Sequence, residues 1–273
     1  MLVACGPSPG APVATCNGHA ELCSRRLDQV TFAGTHNSMS NEDAGWRVPN
    51  QHHGLSRQLQ DGVRSLMLDV HEWKGEAWLC HGYCELGAQP LSEGLAEVED
   101  FLALRPDAFV LVIFEDYVSA ELMAQALQDS GLADRALTWP VEGEVPTLGA
   151  LLEDGRQILL TAQSGGPPPD WYQPAWELFF DTPYSFETAE DLAADNSCDL
   201  NRGAPENPLF LVNHWVGTPL PDAELSLEVN GATFLEARAR RCAEAWGRTV
   251  SSLSVDFYDQ GDLFLVVDRL NGL

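Results

Sequence analysis

The stretch Gly-Thr-His-Asn-Ser at residues 34–38 directly follows a short β-like run, Val-Thr-Phe-Ala at 30–33. A second β-like run, Gly-Val-Arg-Ser-Leu-Met-Leu-Asp-Val at 62–70, follows, and then comes Cys-His-Gly at 80–82. Each histidine therefore stands at a junction between a predicted strand and a loop, with a carboxylate on the strand between them. In parallel α/β barrels, active residues gather at the carboxyl ends of strands.

Short β-rich runs alternate with helix-like segments along the chain. This alternation implies parallel strands with right-handed crossovers. A chain of 273 residues fits a single distorted TIM-type (β/α)8 barrel, which we place at 28–273, after an N-terminal segment at 1–27. Ser92 is the predicted N-cap of the first long helix. We predict strands at 29–34, 64–70, 109–114, 157–162, 177–180, 208–213 and 252–256, one more near 78–79, and helices at 91–104, 119–130, 147–153 and 231–246.

The seven cysteines indicate an exported protein. Leu-Val-Ala-Cys at 2–5 resembles a bacterial lipobox, so Cys5 is either a lipidation site or a chance match, and 6–15 read as a flexible tether. The other six cysteines form an even set with two close pairs, which is typical of disulfides in an oxidising compartment. Our pairing hypothesis is 16–23, 80–84 and 198–242. We expect a secreted, cell-surface or periplasmic protein.

The net charge of −26, from 15 basic and 41 acidic side chains, disfavours nucleic-acid binding. No basic patch exists to displace the counterions of a phosphate backbone. The acidity is either an adaptation for solubility or a means of attracting cations. No apolar run approaches the roughly 20 residues needed to span a bilayer, so we expect a soluble or surface-anchored chain with at most peripheral membrane contact. We also expect a monomer.

His36 and His81 suit proton transfer on both sides of one phosphorus atom. One imidazole can take a proton from an attacking hydroxyl while the other gives a proton to the leaving oxygen. Both rings would then have to lie within about 10 Å of each other. Asp256, at the end of a predicted strand, could fix the tautomer of His36. The alternative is that each histidine is only a hydrogen-bonded loop residue.

These motifs resemble the phosphatidylinositol-specific phospholipase C family. That family carries His-Asn-Ser or His-Asn-Thr after its first strand, Gly-x-Arg-x-x-x-Leu-Asp on its second, and His-Gly after that. Phe-Val-Leu-Val-Ile-Phe-Glu at 109–115 resembles the family strand that ends in a metal-binding glutamate. Leu-Asp-Val-His-Glu-Trp at 68–73 and Val-Asp-Phe-Tyr at 255–258 resemble secreted, poorly characterised bacterial and fungal members.

The resemblance implies a divalent cation, Ca²⁺ or alternatively Mg²⁺, held by Asn37, Asp69 and Glu115. Hard oxygen ligands of this kind suit either ion. The chain departs from the family pattern at Met67, where metal-dependent members have a second carboxylate, so the site should be weaker. Metal-independent members have an arginine at the position of Asp69. Asp69 and Glu115 could instead be structural acids.

Four further residues are candidate substrate contacts, each with a structural alternative. Arg64 is a candidate phosphate contact, but it lies five residues before Asp69 and so on the opposite face of an unbroken strand, which favours a structural role. Asn213 and Trp215 end another apolar strand, and Gln163 follows the strand at 157–162. Aromatic residues at 171–186 could form a rim or could be ordinary loop packing.

The predicted function is a phospholipase C-type phosphodiesterase, a hydrolase or lyase acting on a phospholipid or another phosphodiester. The alternatives are a glycerophosphodiesterase or sphingomyelinase D-like barrel enzyme, and a non-catalytic surface module that binds lipid or sugar. The chain lacks a Gly-x-Ser-x-Gly elbow, a Gly-x4-Gly-Lys loop and a Gly-x-Gly-x-x-Gly loop. Serine hydrolase, nucleotide triphosphate and dinucleotide functions are therefore disfavoured.

Overall fold

A computed structural model describes residues 14–139, 143–217 and 220–273. The predicted lipidation site at Cys5 and residues 6–13 of the predicted tether lie outside these ranges. The described strands are β1 Phe32–Thr35, β2 Ser65–Trp73, β3 Glu76–Leu79, β4 Gln89–Pro90, β5 Val110–Tyr117, β6 Ile158–Ala162, β7 Tyr172–Pro174, β8 Phe179–Asp181, β9 Leu209–His214 and β10 Ser252–Val255. The described α-helices are α1 Leu55–Asp61, α2 Leu91–Leu104, α3 Ala120–Asp129, α4 Leu148–Glu153, α5 Ala175–Leu178, α6 Ala189–Ala193, α7 Ala223–Val229, α8 Ala232–Trp246 and α9 Leu263–Leu270.

The strands form one curled parallel sheet in the order β7-β6-β5-β2-β1-β10-β9-β8. Each neighbouring pair along this order is parallel. The predicted α/β barrel class is therefore confirmed. The barrel is distorted because its two end strands, β7 and β8, are joined by the short helix α5 instead of pairing with each other, which leaves an open seam.

A small antiparallel excursion departs from the barrel at β2. Strand β3 pairs antiparallel with the end of β2, and β4 pairs antiparallel with β3. The strand predicted near 78–79 is thus real but lies outside the parallel order. The segment that leads from β3 to β4 carries His81.

Alternation along the strands divides the core into two layers. On β2, Leu66, Leu68 and Val70 face the outer helices, in the same cluster as the buried face of α2. Met67 faces the barrel interior, where it joins Phe32, Ile113 and other inward residues. Asp69, two residues beyond Met67, shares the inward face, and this parity places its carboxylate inside the barrel mouth.

Gly34 allows the close approach of β1 and β10. A Cβ atom at Gly34 would collide with Ser254 Oγ. The interior here is a cluster of serines in which Ser252 donates to Ser65 at 2.7 Å and lies 3.0 Å from Ser254. A larger residue would force apart the two strands that carry His36 and Asp256.

The segment before the predicted boundary at Asp28 is packed against the barrel. Cys16, Leu22 and Leu27 are buried in the interior cluster, and Arg26 forms an isolated bridge with Thr147. Residues of the predicted N-terminal segment, from Cys16 to Leu27, therefore pack against the barrel. The three predicted disulfides, 16–23, 80–84 and 198–242, are all present.

Most predicted elements are found within a few residues of their expected bounds, with three notable differences. The run predicted as a strand at 177–180 divides into α5 and β8, because a short apolar stretch does not distinguish helix from strand. Helix α2 begins at Leu91 after Pro90, so Ser92 lies inside it and is not the N-cap. Helices α1, α6, α7 and α9 and strands β4 and β7 were not predicted.

None of the helices in the described part of the chain is long and apolar enough to cross a membrane.

Candidate active site

The segment after β1 is held in place by a compact hydrogen-bond network. Ser38 Oγ donates to Thr35 O at 2.9 Å and accepts from the backbone N–H of Met67 at 3.0 Å. Gln58 adds a bond to Thr35 Oγ1 at 2.8 Å. Asn37 adopts a left-handed backbone conformation with φ of 42°. These bonds tie β1 to β2 and fix the direction in which His36 and Asn37 point.

His36 is held at its edge and at its face. Its Nδ1 lies 2.9 Å from Asp256 Oδ1, and its ring stacks on Trp215 with centroids 3.7 Å apart and planes inclined by 1°. When neutral His36 donates from Nδ1 to the carboxylate, its Nε2 keeps the lone pair, as in catalytic His–carboxylate pairs. The arrangement leaves Nε2 as the basic atom of the ring.

His81 lies across the cavity from His36, on the segment after β3. Its ring centroid is 6.5 Å from that of His36, with the rings inclined by 72°. This separation meets the distance expected of two groups that act on one phosphate. The disulfide between Cys80 and Cys84 closes the loop around His81, and Asn37 Nδ2 lies 3.4 Å from His81 Nδ1.

The charge environment of His81 favours its neutral form. Desolvation by the neighbouring walls, followed by the positive charge that His36 can carry, lowers the pKa of His81. Asp256 and Glu115 oppose this effect without reversing it. An imidazole with a lowered pKa is a stronger proton donor once it is protonated.

Asp69 and Glu115 form a carboxylate pair on the cavity wall. They are directly opposite each other in the register of β2 and β5. Burial, followed by repulsion from Glu115, raises the pKa of Asp69 well above its usual range. A buried acid pair of this kind is stabilised by a proton or by a cation.

The predicted metal ligands fit a divalent cation in chemistry. Asn37 directly follows His36, just beyond the end of β1. Asn37, Asp69 and Glu115 all line one cavity of about 200 Å³. Within the ranges that the structure describes, no three His, Cys, Asp or Glu side chains converge as metal ligands. A cation here would therefore depend on the amide oxygen of Asn37 to complete its protein ligands.

Arg202 enters the same cavity and was not predicted. Its guanidinium binds the buried carboxylate of Asp181 through Nε at 2.9 Å and donates from Nη1 to Gln163 Oε1 at 3.1 Å. Its Nη1 is 3.9 Å from Glu115 Oε1. The guanidinium also lies 4.0 Å from the ring centroid of Trp176. Among the described residues that line this cavity, Arg202 is the only arginine or lysine.

Gly203 enables Arg202 to approach the end of β8. Gly203 has φ of 76°, and a Cβ atom there would collide with Phe179 O. The backbone of Arg202 consequently bonds to Asp181 in both directions, through Arg202 N to Oδ1 at 2.7 Å and Asp181 N to Arg202 O at 3.0 Å. The arginine is thus fixed at its main chain as well as at its guanidinium.

The predicted substrate contacts are only partly brought together. Trp215 and Gln163 line the cavity. Asn213 is buried beneath it, where Nδ2 donates to Asp181 Oδ2 at 3.0 Å, so it supports Asp181 and does not face substrate. Arg64 lies at the opposite end of β2, where Nη1 donates to the carbonyls of Leu59 and Val63. These contacts support the structural role that strand parity predicts for Arg64.

Two further residues of the site, Asn50 and Tyr117, were not predicted from the sequence. Asn50 contacts the Asp256 carboxylate, and Tyr117 donates to Glu115 Oε2 at 3.0 Å. Tyr117 could have been found, since it lies two residues beyond Glu115 on the same strand face. Asn50 carried no periodic or motif signal.

An apolar groove of about 310 Å³ adjoins His81 on the side away from the carboxylates. Tyr83 and Leu220, on its walls, are 74% and 62% exposed. The other apolar residues of the lining include Trp46, Val48, Leu86 and Pro221. The site therefore has a polar side with the cation candidates and an apolar side next to His81.

The fold is that of the phospholipase C-type barrels. The phosphatidylinositol-specific phospholipase C of Listeria monocytogenes superposes with a TM-score of 0.61 at 16% identity, over 92% of this chain and 97% of that one. A mutant of the Staphylococcus aureus phosphatidylinositol-specific phospholipase C gives a TM-score of 0.62 at 12% identity, over 91% and 95%.

The family model described as PI-PLC X 1 matches residues 22–271, and the chain belongs to this family. An uncharacterised secreted protein of Arthroderma benhamiae is 29% identical over 94% of this chain and 64% of its own length. A PI-PLC X domain-containing protein of Arabidopsis thaliana is 27% identical over 90% of this chain and 62% of its own length. The chain thus spans somewhat less than two thirds of these two relatives.

Proposed function

We propose that the protein cleaves a phosphodiester by attack of a neighbouring hydroxyl group of the substrate, in the manner of a phospholipase C. The observation that carries the proposal is the pair of imidazoles 6.5 Å apart across one cavity. His36 has a carboxylate on Nδ1, as a general base requires. His81 lies across the cavity, and its lowered pKa makes it a strong proton donor once it is protonated. Family membership over nearly the whole chain supports the same chemistry.

The proton transfers balance with these two residues alone. Neutral His36 accepts the proton of the attacking hydroxyl as the new oxygen–phosphorus bond forms. Protonated His81 gives its proton to the leaving oxygen as the old bond breaks. The products are a cyclic phosphodiester and an alcohol, and the two histidines have exchanged protonation states. Attack within one molecule is favoured because the nucleophile is already held beside the phosphorus.

We propose that Asn37, Asp69 and Glu115 hold a divalent cation, Ca²⁺ or alternatively Mg²⁺. When bound, such a cation neutralises phosphate charge and lowers the pKa of a hydroxyl that it contacts. The raised pKa of Asp69 supports this role, because a buried carboxylate beside another is stabilised by positive charge. Asn37 would serve through its amide oxygen. Met67, on the same face of β2, contributes no ligand oxygen.

A lipid-type phosphodiester is the proposed substrate class. The apolar groove beside His81 would receive the departing alcohol, and the polar wall with Arg202 and Gln163 would face the head group. The exposed apolar residues at the groove mouth support peripheral contact with a membrane surface by a monomeric chain. The secreted relative and the three disulfides support export, with Cys5 as the proposed lipid anchor.

The test is incubation of the purified protein with phosphatidylinositol in neutral-detergent micelles, with added Ca²⁺ or with chelator, followed by ³¹P NMR of the products. We expect inositol cyclic phosphate. His36→Ala and His81→Ala should each lower kcat by about 10²- to 10⁴-fold. His19→Ala is the matched control, since His19 lies on the surface against Asp268 at the other end of the barrel.

The competing functions give different results in the same assay. Release of choline from sphingomyelin, or of glycerol 3-phosphate from glycerophosphodiesters, would support the related barrel enzymes instead. If no cyclic phosphate forms with either Ca²⁺ or chelator, the phosphatidylinositol-cleaving activity is excluded. Vesicle binding that persists in both histidine variants, without any product, would support the non-catalytic module.

A further inference from the structure

Asn50 makes a specific contact with the carboxylate that holds His36. Its Nδ2 lies 3.2 Å from Oδ1 and 3.2 Å from Oδ2 of Asp256. Both side chains are almost completely buried, with 2% of Asn50 and 1% of Asp256 exposed. The donors on this carboxylate are therefore the His36 Nδ1–H and the Asn50 amide. We propose that Asn50 is a positioning residue that orients Asp256 and, through it, His36.

The orientation of the Asn50 amide is set by its surroundings. If the amide were turned over, its oxygen would face the Asp256 oxygens without a proton between them, which is unfavourable for a buried group. Nδ2 therefore points to the carboxylate. Asn50 Oδ1 is left buried with no hydrogen-bond partner in the described part of the chain.

The side chain and the main chain of Asn50 have separable tasks. Its backbone N–H donates to Ser40 O at 3.0 Å, and its carbonyl accepts from Phe257 N at 2.8 Å. These bonds join the loop after β1 to the loop after β10. Gln51 reinforces the same junction by donating from Nε2 to His36 O at 2.8 Å and to Val255 O at 3.0 Å. Changing the side chain of Asn50 leaves all of these bonds available.

The consequence for His36 is geometric. A buried carboxylate needs donors for its lone pairs. Without Asn50, the only side-chain donor left on Asp256 among the described residues is His36 itself. The carboxylate could then rotate toward other partners and release Nδ1 of His36. The imidazole would no longer be restricted to the tautomer with Nε2 unprotonated, and its alignment with the attacking hydroxyl would be lost. This inference rests on the proposed role of His36 as the base.

The kinetic test uses Asn50→Leu, which keeps the branched shape of the side chain but has no donor, with phosphatidylinositol in neutral-detergent micelles as substrate. We expect kcat to fall about 10- to 100-fold, as is usual when a group that orients a reacting residue is removed. KM should stay within about threefold, since Asn50 acts through Asp256 and not on substrate. Asn50→Ala serves as a second variant if the leucine side chain prevents folding.

Asn271→Leu is the matched control. Asn271 is also a buried asparagine with two hydrogen bonds, to the backbone of Thr31 at the opposite end of β1. It should lower the melting temperature while leaving kcat unchanged. Equal kcat in the Asn50 and Asn271 variants would overturn the proposal.

A second readout does not depend on activity. The ¹⁵N chemical shifts of the His36 imidazole, measured at a single alkaline pH, report its tautomer. We expect Nδ1 protonated in the parent protein and a mixture of tautomers in Asn50→Leu. An unchanged tautomer would refute the positioning role. A changed tautomer in a protein that does not cleave phosphatidylinositol would uphold the positioning role and refute the proposed function instead.

Discussion

We expect the disulfide at 80–84 to matter more for activity and the disulfide at 198–242 to matter more for stability. The first encloses a sequence separation of 4 residues and the second a separation of 44. In the chain-entropy model these loops correspond to stabilisation of about 2 kcal/mol and about 4 kcal/mol. The shorter bridge, however, closes the loop that carries His81. The double variant Cys80→Ala/Cys84→Ala should therefore lose less stability and more activity than Cys198→Ala/Cys242→Ala.

Urea unfolding and initial rates of phosphatidylinositol cleavage, measured well below the unfolding transitions, give both quantities. We expect at least about a tenfold loss of kcat when the 80–84 bridge is removed, since a small displacement of a catalytic group is costly. Removal of the 198–242 bridge should change kcat less than about twofold. The reasoning is refuted if the 80–84 variant keeps the parent kcat, or if it is the less stable of the two.

Three other predictions concern single side chains. Burial lowers the pKa of His214 to about 3, whereas the value in the unfolded chain is near 6.5. Between these two pH values the unfolded chain binds one more proton than the folded chain. The free energy of unfolding therefore falls as the pH decreases below about 6.5. Urea midpoints at several pH values should show this decline, at about 1.4 kcal/mol per pH unit for one proton, and the decline should be smaller in His214→Gln. Arg202→Met should cost about 3 kcal/mol in urea unfolding, because Asp181 is left buried without its cation; an unchanged midpoint would contradict this role of the pair. Asp69→Asn should raise the melting temperature in chelator, since ionising the buried carboxylate costs stability, and should abolish the rise in melting temperature that Ca²⁺ gives the parent protein. If Ca²⁺ stabilises parent and variant equally, the cation does not bind at Asp69.

The parts of the site that lie on regular strands could be predicted from the sequence. His36, Asp69, Glu115 and Asp256 each stand at or just beyond the end of an apolar run, and the ends of parallel strands meet at one rim. Side-chain parity also placed Arg64 on the face opposite Asp69, as the structure has it. Local pattern was sufficient in these cases because strand period and strand direction determine the location.

Residues on irregular segments could not be placed in this way. Arg202 reaches Gln163 across 39 positions of sequence, and Asn50 reaches Asp256 across 206. Neither contact depends on a period of the chain, so no local pattern signals it. The strand ending at Asn213 was predicted, but its amide points to Asp181 beneath the cavity. A position at the carboxyl end of a strand does not determine whether the side chain faces the cavity or packs beneath it.

The excursion formed by β3 and β4 places His81 on a part of the fold separate from the barrel strands that carry His36. His36 follows a central strand that is paired on both sides, whereas His81 is carried by the segment between β3 and β4, which one disulfide closes on itself. Under the proposed function, lengthening or exchanging residues 80–89 would change which alcohols can depart and would leave the strands around His36 unaltered. For an engineer seeking new leaving-group preference, this segment is the natural place to graft diversity.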